Sequence, residues 1–176
     1  MLSASIIVFR ESLEAAILIS IIAAATKGLP KRTRWIALGI VAGIVGSLLV
    51  AGVSSSIAQL ADGVGQEIFN ATILSIAVLM LGWHNIWMSS HGAEMASNAK
   101  KIGQAISKGT HELSAIAIVV ALAVLREGSE TVLFLHGVAS AGGSNLGDIV
   151  LGGSFGLFAG VIIGITVYAG LLRIPL

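Results

Sequence analysis

Cysteine is absent from this 176-residue chain, which excludes disulfide frameworks, thiolate metal sites and cysteine nucleophiles and leaves the redox compartment open. Charge is also scarce: 11% of residues are Asp, Glu, Lys or Arg, against about 25% in soluble domains. That is too little polar surface to cover a water-facing globule of this size. With 10 Lys and Arg and a formal net charge of +1, there is no basic stripe to neutralise phosphates, so nucleic acid is not an expected partner. What is present is apolar: 56% hydrophobic residues and 22 glycines, with a mean hydropathy of +0.97. The chain reads as a membrane protein. The first nine residues carry no Lys or Arg, and the following apolar run is broken by Arg10, Glu11 and Glu14. A cleavable signal is therefore not expected, and the N-terminus enters the bilayer itself.

A hydrocarbon core of about 30 Å takes roughly 20 helical residues. Cutting the chain at its polar clusters predicts five such spans, near 4–26, 35–60, 66–89, 113–136 and 149–172. Helices are expected rather than barrel strands because the runs are continuous and a helix satisfies its own backbone in lipid. The predicted fold class is thus all-α, a polytopic membrane helix bundle of five transmembrane helices in one domain over 1–176. Lys27, Lys31, Arg32 and Arg34 fall between the first two spans and Lys100, Lys101 and Lys108 between the third and fourth, while 61–65 and 137–148 contain neither Lys nor Arg. A multi-pass chain of the cytoplasmic (inner) membrane is expected, and the positive-inside rule puts its N-terminus outside. Trp35, Trp83 and Trp87 fall toward the same inner interface.

Between the third and fourth spans, Met95, Ala99, Ile102 and Ile106 recur at helical spacing, which predicts an amphipathic segment near 91–108 lying on anionic lipid. Gly152, Gly156, Gly160 and Gly164 on the fifth span, and Gly39 and Gly43 on the second, form stripes that let helix backbones approach. Such stripes close either the monomer or a homo-oligomer.

Two spans carry the same charged pentad, Arg10-Glu11-Ser12-Leu13-Glu14 and Arg126-Glu127-Gly128-Ser129-Glu130, both R-E-x-x-E. On a helix the arginine and the two glutamates project at about 0°, 100° and 40°, on one face. Three charges at mid-helix cost roughly 8–10 kcal/mol, whereas the Ile, Leu, Val and Phe side chains of the first span return only about 3–6. The motif must be solvated by protein, water or an ion. Each arginine can pair with the glutamate one turn on, yet each pentad keeps one surplus carboxylate. Both pentads are expected at one depth, about 5 Å outward of the midplane. Four converging carboxylates make a hard-oxygen cage suited to Fe³⁺, Mg²⁺ or Mn²⁺ and poorly suited to Cu⁺. The spacing also predicts an inverted repeat, helices 1–3 against helix 4 onward, with the site at the repeat interface.

The rival reading, a salt bridge that only staples helices, explains poorly a motif that is duplicated, depth-matched and surplus in negative charge. His84, His91 and Glu94 share one helical face toward the inner exit, where a release path and ordinary structural hydrogen bonding at an interface are both open. His136, Asp62 and Asp148 are further polar groups of the outer half. For Asp62 and Asp148, turn-forming or cation-concentrating roles are equally open. Two enzymatic rivals lack machinery: His111-Glu112-Leu113-Ser114-Ala115 has no second histidine for a zinc protease, and a di-iron oxidase would need a Glu-x-x-His pair that is missing. A transporter, not an enzyme, is expected, with no prosthetic group.

With both pentads in view, the sequence resembles the oxidase-dependent iron permease family, the high-affinity ferric iron permeases of fungi and bacteria. The matching words are Val8-Phe9-Arg10-Glu11-Ser12-Leu13-Glu14-Ala15 and Leu125-Arg126-Glu127-Gly128-Ser129-Glu130, with similarity through Gly65-Gln66-Glu67-Ile68-Phe69-Asn70-Ala71 and Gly82-Trp83-His84-Asn85-Ile86-Trp87-Met88. The resemblance implies that Glu11, Glu14, Glu127 and Glu130 bind Fe³⁺ in transit, with Arg10 and Arg126 shaping their field. It also implies an extracytoplasmic ferroxidase or peroxidase partner, and two further helices beyond Leu171-Leu172-Arg173-Ile174-Pro175-Leu176. Where many relatives carry an acidic pair, this chain has Glu67-x-x-Asn70. Another cargo within the same family, Pb²⁺ or Mn²⁺, is the near alternative.

Overall fold

A computed structural model describes residues 1–60, 64–109, 112–140 and 145–171. The described residues form five α-helices and no strand: α1 (Leu2–Ala25), α2 (Arg32–Leu60), α3 (Val64–Ser107), α4 (Ser114–Ser140) and α5 (Leu146–Leu171). Stretches Arg32–Ser56 and Leu146–Gly170 have 25 residues each and mean hydropathies of 2.5 and 2.1, long and apolar enough to cross a membrane. Every 18-residue window of α1 or α4 contains an arginine and two glutamates. The pentads alone therefore lift these two helices out of that class. Leu48, Leu49, Phe155, Phe158 and Ile165 point outward on α2 and α5, each more than three-fifths exposed. Such broad apolar faces suit contact with lipid rather than water.

Packing is strongest between α1 and α5 and between α2 and α4. Glycines explain both pairs. On α5, a Cβ at Gly152 or Gly156 would run into the carbonyls of Met1 and Ser5, at Gly160 into the Ser12 hydroxyl, and at Gly164 into the Ala16 methyl. On α2, a Cβ at Gly39 would stand 2.7 Å from the Ala117 carbonyl oxygen and one at Gly43 2.8 Å from that of Ala121. In both pairs the contacts advance together along the two chains, so the helices run parallel. The glycine stripes close within one chain, which settles that alternative in favour of the monomer for these faces. Ser20 Oγ adds a hydrogen bond to the Gly164 carbonyl, 3.1 Å.

The two pairs also share a register. Adding 116 to a residue of α1 and subtracting 113 from its neighbour on α5 turns Met1·Gly152 into Ala117·Gly39 and Ser5·Gly156 into Ala121·Gly43, with Arg10 matched to Arg126 and Gly152 to Gly39. The same offsets turn Ser12·Gly160 into Gly128·Ser47, and there the roles exchange: Ser47 Oγ lies where a Gly128 Cβ would be.

α1 and α4 meet antiparallel, with Glu11 near Glu127 at one level and Ile22 packed with Ile116 at another. The main buried cluster, Ile22, Ala99, Ile106, Ile116 and Val120, sits at the end that also holds Leu29 and Trp35. This end is tied further by Arg32, which donates through Nη1 to the Ala23 carbonyl, 2.5 Å, and through Nη2 to the Tyr168 hydroxyl, 3.0 Å. A charge at the C-terminus of α1 is well placed against the carbonyls exposed there.

One expected boundary is absent. The third span and the amphipathic segment form a single 44-residue helix, α3, about 66 Å long. Ser89, Ser90 and Gly92 lower helix propensity only modestly, and no proline interrupts the run. The amphipathic face is also covered by protein instead of lying on lipid: Ala99 and Ile106 are buried in the main cluster and Ile102 packs beside them. A periodic apolar stripe does not specify whether lipid or a neighbouring helix covers it.

Candidate metal site between two pentads

The helical phase of R-E-x-x-E puts both glutamates of each pentad on the α1–α4 seam. Carboxylate oxygens of Glu11, Glu14 and Glu127 lie within 4.8 Å of one another, a grouping able to hold a metal ion. Glu11 is 1% exposed and Glu127 3%, so the two innermost carboxylates are shut away from solvent. Glu130 stands outside this trio but close enough to act electrostatically on both Glu11 and Glu127. Three of the four expected ligands thus converge, and the fourth flanks them.

The arginines hold matching positions in both pentads. Arg10 Nε lies 3.3 Å from Glu14 Oε1 and Nη2 lies 3.4 Å from Glu11 Oε1. Arg126 Nε lies 3.3 Å from Glu130 Oε1 and 3.8 Å from Glu127 Oε1. Each guanidinium therefore binds mainly the glutamate one turn on and reaches the adjacent one at longer range. Neither oxygen of Glu11 accepts a hydrogen bond among the described residues, nor does Oε2 of Glu127. Buried acceptors without donors are costly, and a cation would satisfy them together. Carboxylate oxygens favour hard ions, iron among them.

The secondary residues do not join this group among the described residues. Glu67 is exposed in the first turn of α3, where a negative charge complements the helix dipole. Glu94 is exposed and His91 half-buried with an interaction of its own. The side chains of Asn70 and His84 lie outside the described residues, as do Asp62 and His111. His136 is half-buried with a partner, and Asp148 lies in the first turn of α5.

The sequence reading missed the supports beneath the pentads. Ser12 against Gly160 and Ser47 against Gly128 seat each pentad helix on its parallel neighbour. The signal was present: Gly39, Gly43 and Ser47 repeat the spacing of Gly152, Gly156 and Gly160, and only an alignment anchored on the pentads brings it out.

The chain belongs to the iron permease FTR1 family, whose description matches residues 1–176. It is 31% identical to the ferrous iron permease EfeU of Escherichia coli O157:H7, over 97% of this chain and 62% of that protein. To the ferrous iron permease EfeU of Yersinia pestis it is 28% identical, over 97% of this chain and 61% of that protein. The chain therefore spans about three-fifths of the length of these curated relatives. No solved structure matches. The chain is a helical membrane protein of an iron-transporting family.

Proposed function

We propose that this chain carries iron across the cytoplasmic membrane through a site built from both R-E-x-x-E pentads, with Glu11, Glu14 and Glu127 as ligands, Glu130 as the flanking carboxylate, and Arg10 and Arg126 weakening the hold enough for release. The observation that carries this reading is the convergence of three carboxylates from α1 and α4 within 4.8 Å, two of them nearly inaccessible to water. Conduction needs binding that is firm and still escapable, and a guanidinium beside each pair supplies the counterweight.

In this reading the five helices all cross the bilayer as one domain, N-terminus outside, and form an inverted repeat in which α4 and α5 echo α1 and α2. The reciprocal register of α1·α5 and α4·α2 supports that symmetry, since repeat interfaces are where carriers commonly place midplane sites. Glu67, Asn70, His84, His91 and Glu94 then line the approach and the exit. The cargo is Fe³⁺, delivered by an extracytoplasmic ferroxidase or peroxidase, because an all-carboxylate set favours the harder ion. The names of the relatives favour a second reading, Fe²⁺ as cargo.

Iron-55 uptake into proteoliposomes separates the readings. Ferric citrate is expected to be taken up faster than iron kept ferrous, and Glu11→Gln or Glu127→Gln to abolish uptake while the protein stays folded. Unchanged uptake in both glutamine variants would overturn the site, and uptake confined to ferrous iron would overturn the Fe³⁺ assignment alone.

A further inference from the structure

Eleven residues separate Glu11 from Ile22 on α1, and eleven separate Ile116 from Glu127 on α4. At helical rise each interval is about 16 Å, so the seam between the two helices leads from the carboxylates straight to the main buried cluster. That cluster is wholly aliphatic: Ile22 of α1 and Ile116 of α4, Val120 where α4 backs onto Gly39 of α2, and Ala99 and Ile106 of α3. Leu18 and Val119 continue the apolar lining toward the carboxylates. The buried hydroxyls of this stretch of α1 are already used, Ser20 donating to the Gly164 carbonyl at 3.1 Å and Thr26 to the Ile22 carbonyl at 2.7 Å. A hydrated cation has no polar foothold in this layer, and apolar constrictions of this kind block ions by excluding water.

The element that completes the closure is the least embedded of the helices near the seam. α3 buries Ala77 about a third of the way along and Ala99, Gly103 and Ile106 near its C-terminus, and no described side chain between Ala77 and Ala99 is buried. Val78, Leu79, Trp83 and Ile86 in that stretch are more than two-thirds or close to two-thirds exposed. Its end contact with α1 is intimate: a Cβ at Gly103 would stand 2.5 Å from the Ala25 Cβ.

We propose that the C-terminal segment of α3, acting through Ala99, Gly103 and Ile106, is the inner gate of the ion path, a plug that must leave the α1–α4 seam before an ion can pass from the carboxylates to the cytoplasm. The proposal rests on the pentads being the ion site. It assigns a task to the segment that the sequence pattern placed on lipid.

The absence of native cysteine makes the test direct. The pair Ala25→Cys and Gly103→Cys brings two Cβ atoms slightly closer than the usual disulfide separation of about 3.5–4.5 Å, so a small shift of α3 admits the bond. Purified protein in proteoliposomes is oxidised with diamide, washed, and assayed with iron-55 ferric citrate for binding and for uptake, then again after reduction and washing. The gate predicts that the cross-linked protein binds iron as the reduced protein does, loses uptake, and regains it on reduction, while each single-cysteine variant is indifferent to oxidation. Unchanged uptake by the cross-linked protein overturns the gate, and so does failure of the cross-link to form. Loss of binding in the reduced, folded Glu11→Gln variant is the separate readout for the ion site, so failure there is distinguishable from failure of the gate. A second variant avoids cross-linking: Ile106→Ser admits water to the layer and is expected to raise iron leak down its gradient, whereas leak at the parent level counts against the plug.

Discussion

Exchanging the serine and glycine that seat the second pentad offers a sharp test of the packing. Ser47 Oγ occupies the space a Gly128 side chain would need, and Ser47 Cβ would be 2.8 Å from the new Cβ. The hydroxyl is held in place by its bond to the Gly43 carbonyl, 3.0 Å, so it cannot swing aside without losing that bond. Gly128→Ser alone therefore costs about 1–3 kcal/mol of overpacking plus about 1 kcal/mol for the displaced hydrogen bond. Ser47→Gly alone loses the bond and helix propensity, about 1–2 kcal/mol. Combined, the changes recreate on α2·α4 the arrangement α1·α5 already has, where Ser12 Oγ bonds the Phe9 carbonyl at 3.0 Å and faces Gly160. The double variant should then recover about 2 kcal/mol relative to the sum of the singles, a coupling well above the about 0.5 kcal/mol scatter of independent sites. Thermal unfolding of the three variants in detergent, with iron uptake as a parallel readout, measures that coupling. A double variant whose loss equals the sum of the singles would refute both the contact and the matched register.

Other outcomes follow from contacts already described. Gly156→Leu drives a side chain into the Ser5 carbonyl and the Phe9 amide, backbone atoms that cannot yield, so folded protein should fall sharply, by about 3 kcal/mol or more, as read by size-exclusion yield. Tyr168→Phe removes the acceptor of Arg32 Nη2 and should lower stability by about 0.5–1.5 kcal/mol with uptake retained, and Arg32→Met should cost more because the Ala23 carbonyl is also deserted. Arg10→Gln removes the cation beside Glu11 and Glu14, so iron equilibrium binding should tighten and turnover slow. Weaker binding in that variant would contradict the counterweight role of the arginine.

Much of this was legible in the sequence, for identifiable reasons. Continuous apolar runs fixed four helices to within a few residues at most ends, because hydrophobic length is a direct reading of span length. The pentads announced their own pairing, since phase and depth follow from helical geometry alone, and Glu11, Glu14 and Glu127 do converge. Glu130, the fourth carboxylate expected there, lies beside that trio with Arg126 Nε 3.3 Å from its Oε1. The 91–108 stretch misled because amphipathicity at Ala99 and Ile106 says that a face is covered, not by what. The serine and glycine exchange escaped notice because neither residue is unusual alone.

The close-backed pairs α1·α5 and α2·α4 behave as two stiff planks laid edge to edge, since glycine leaves almost no compressible side chain between their backbones. The carboxylates are divided between the planks, Glu11 and Glu14 on one and Glu127 on the other. Any slide or tilt of one plank thus alters the ligand sphere at once without disturbing either laminated pair. On the proposed function, an ion bridging both edges would act as a removable rivet, its arrival and departure setting how the halves are clasped.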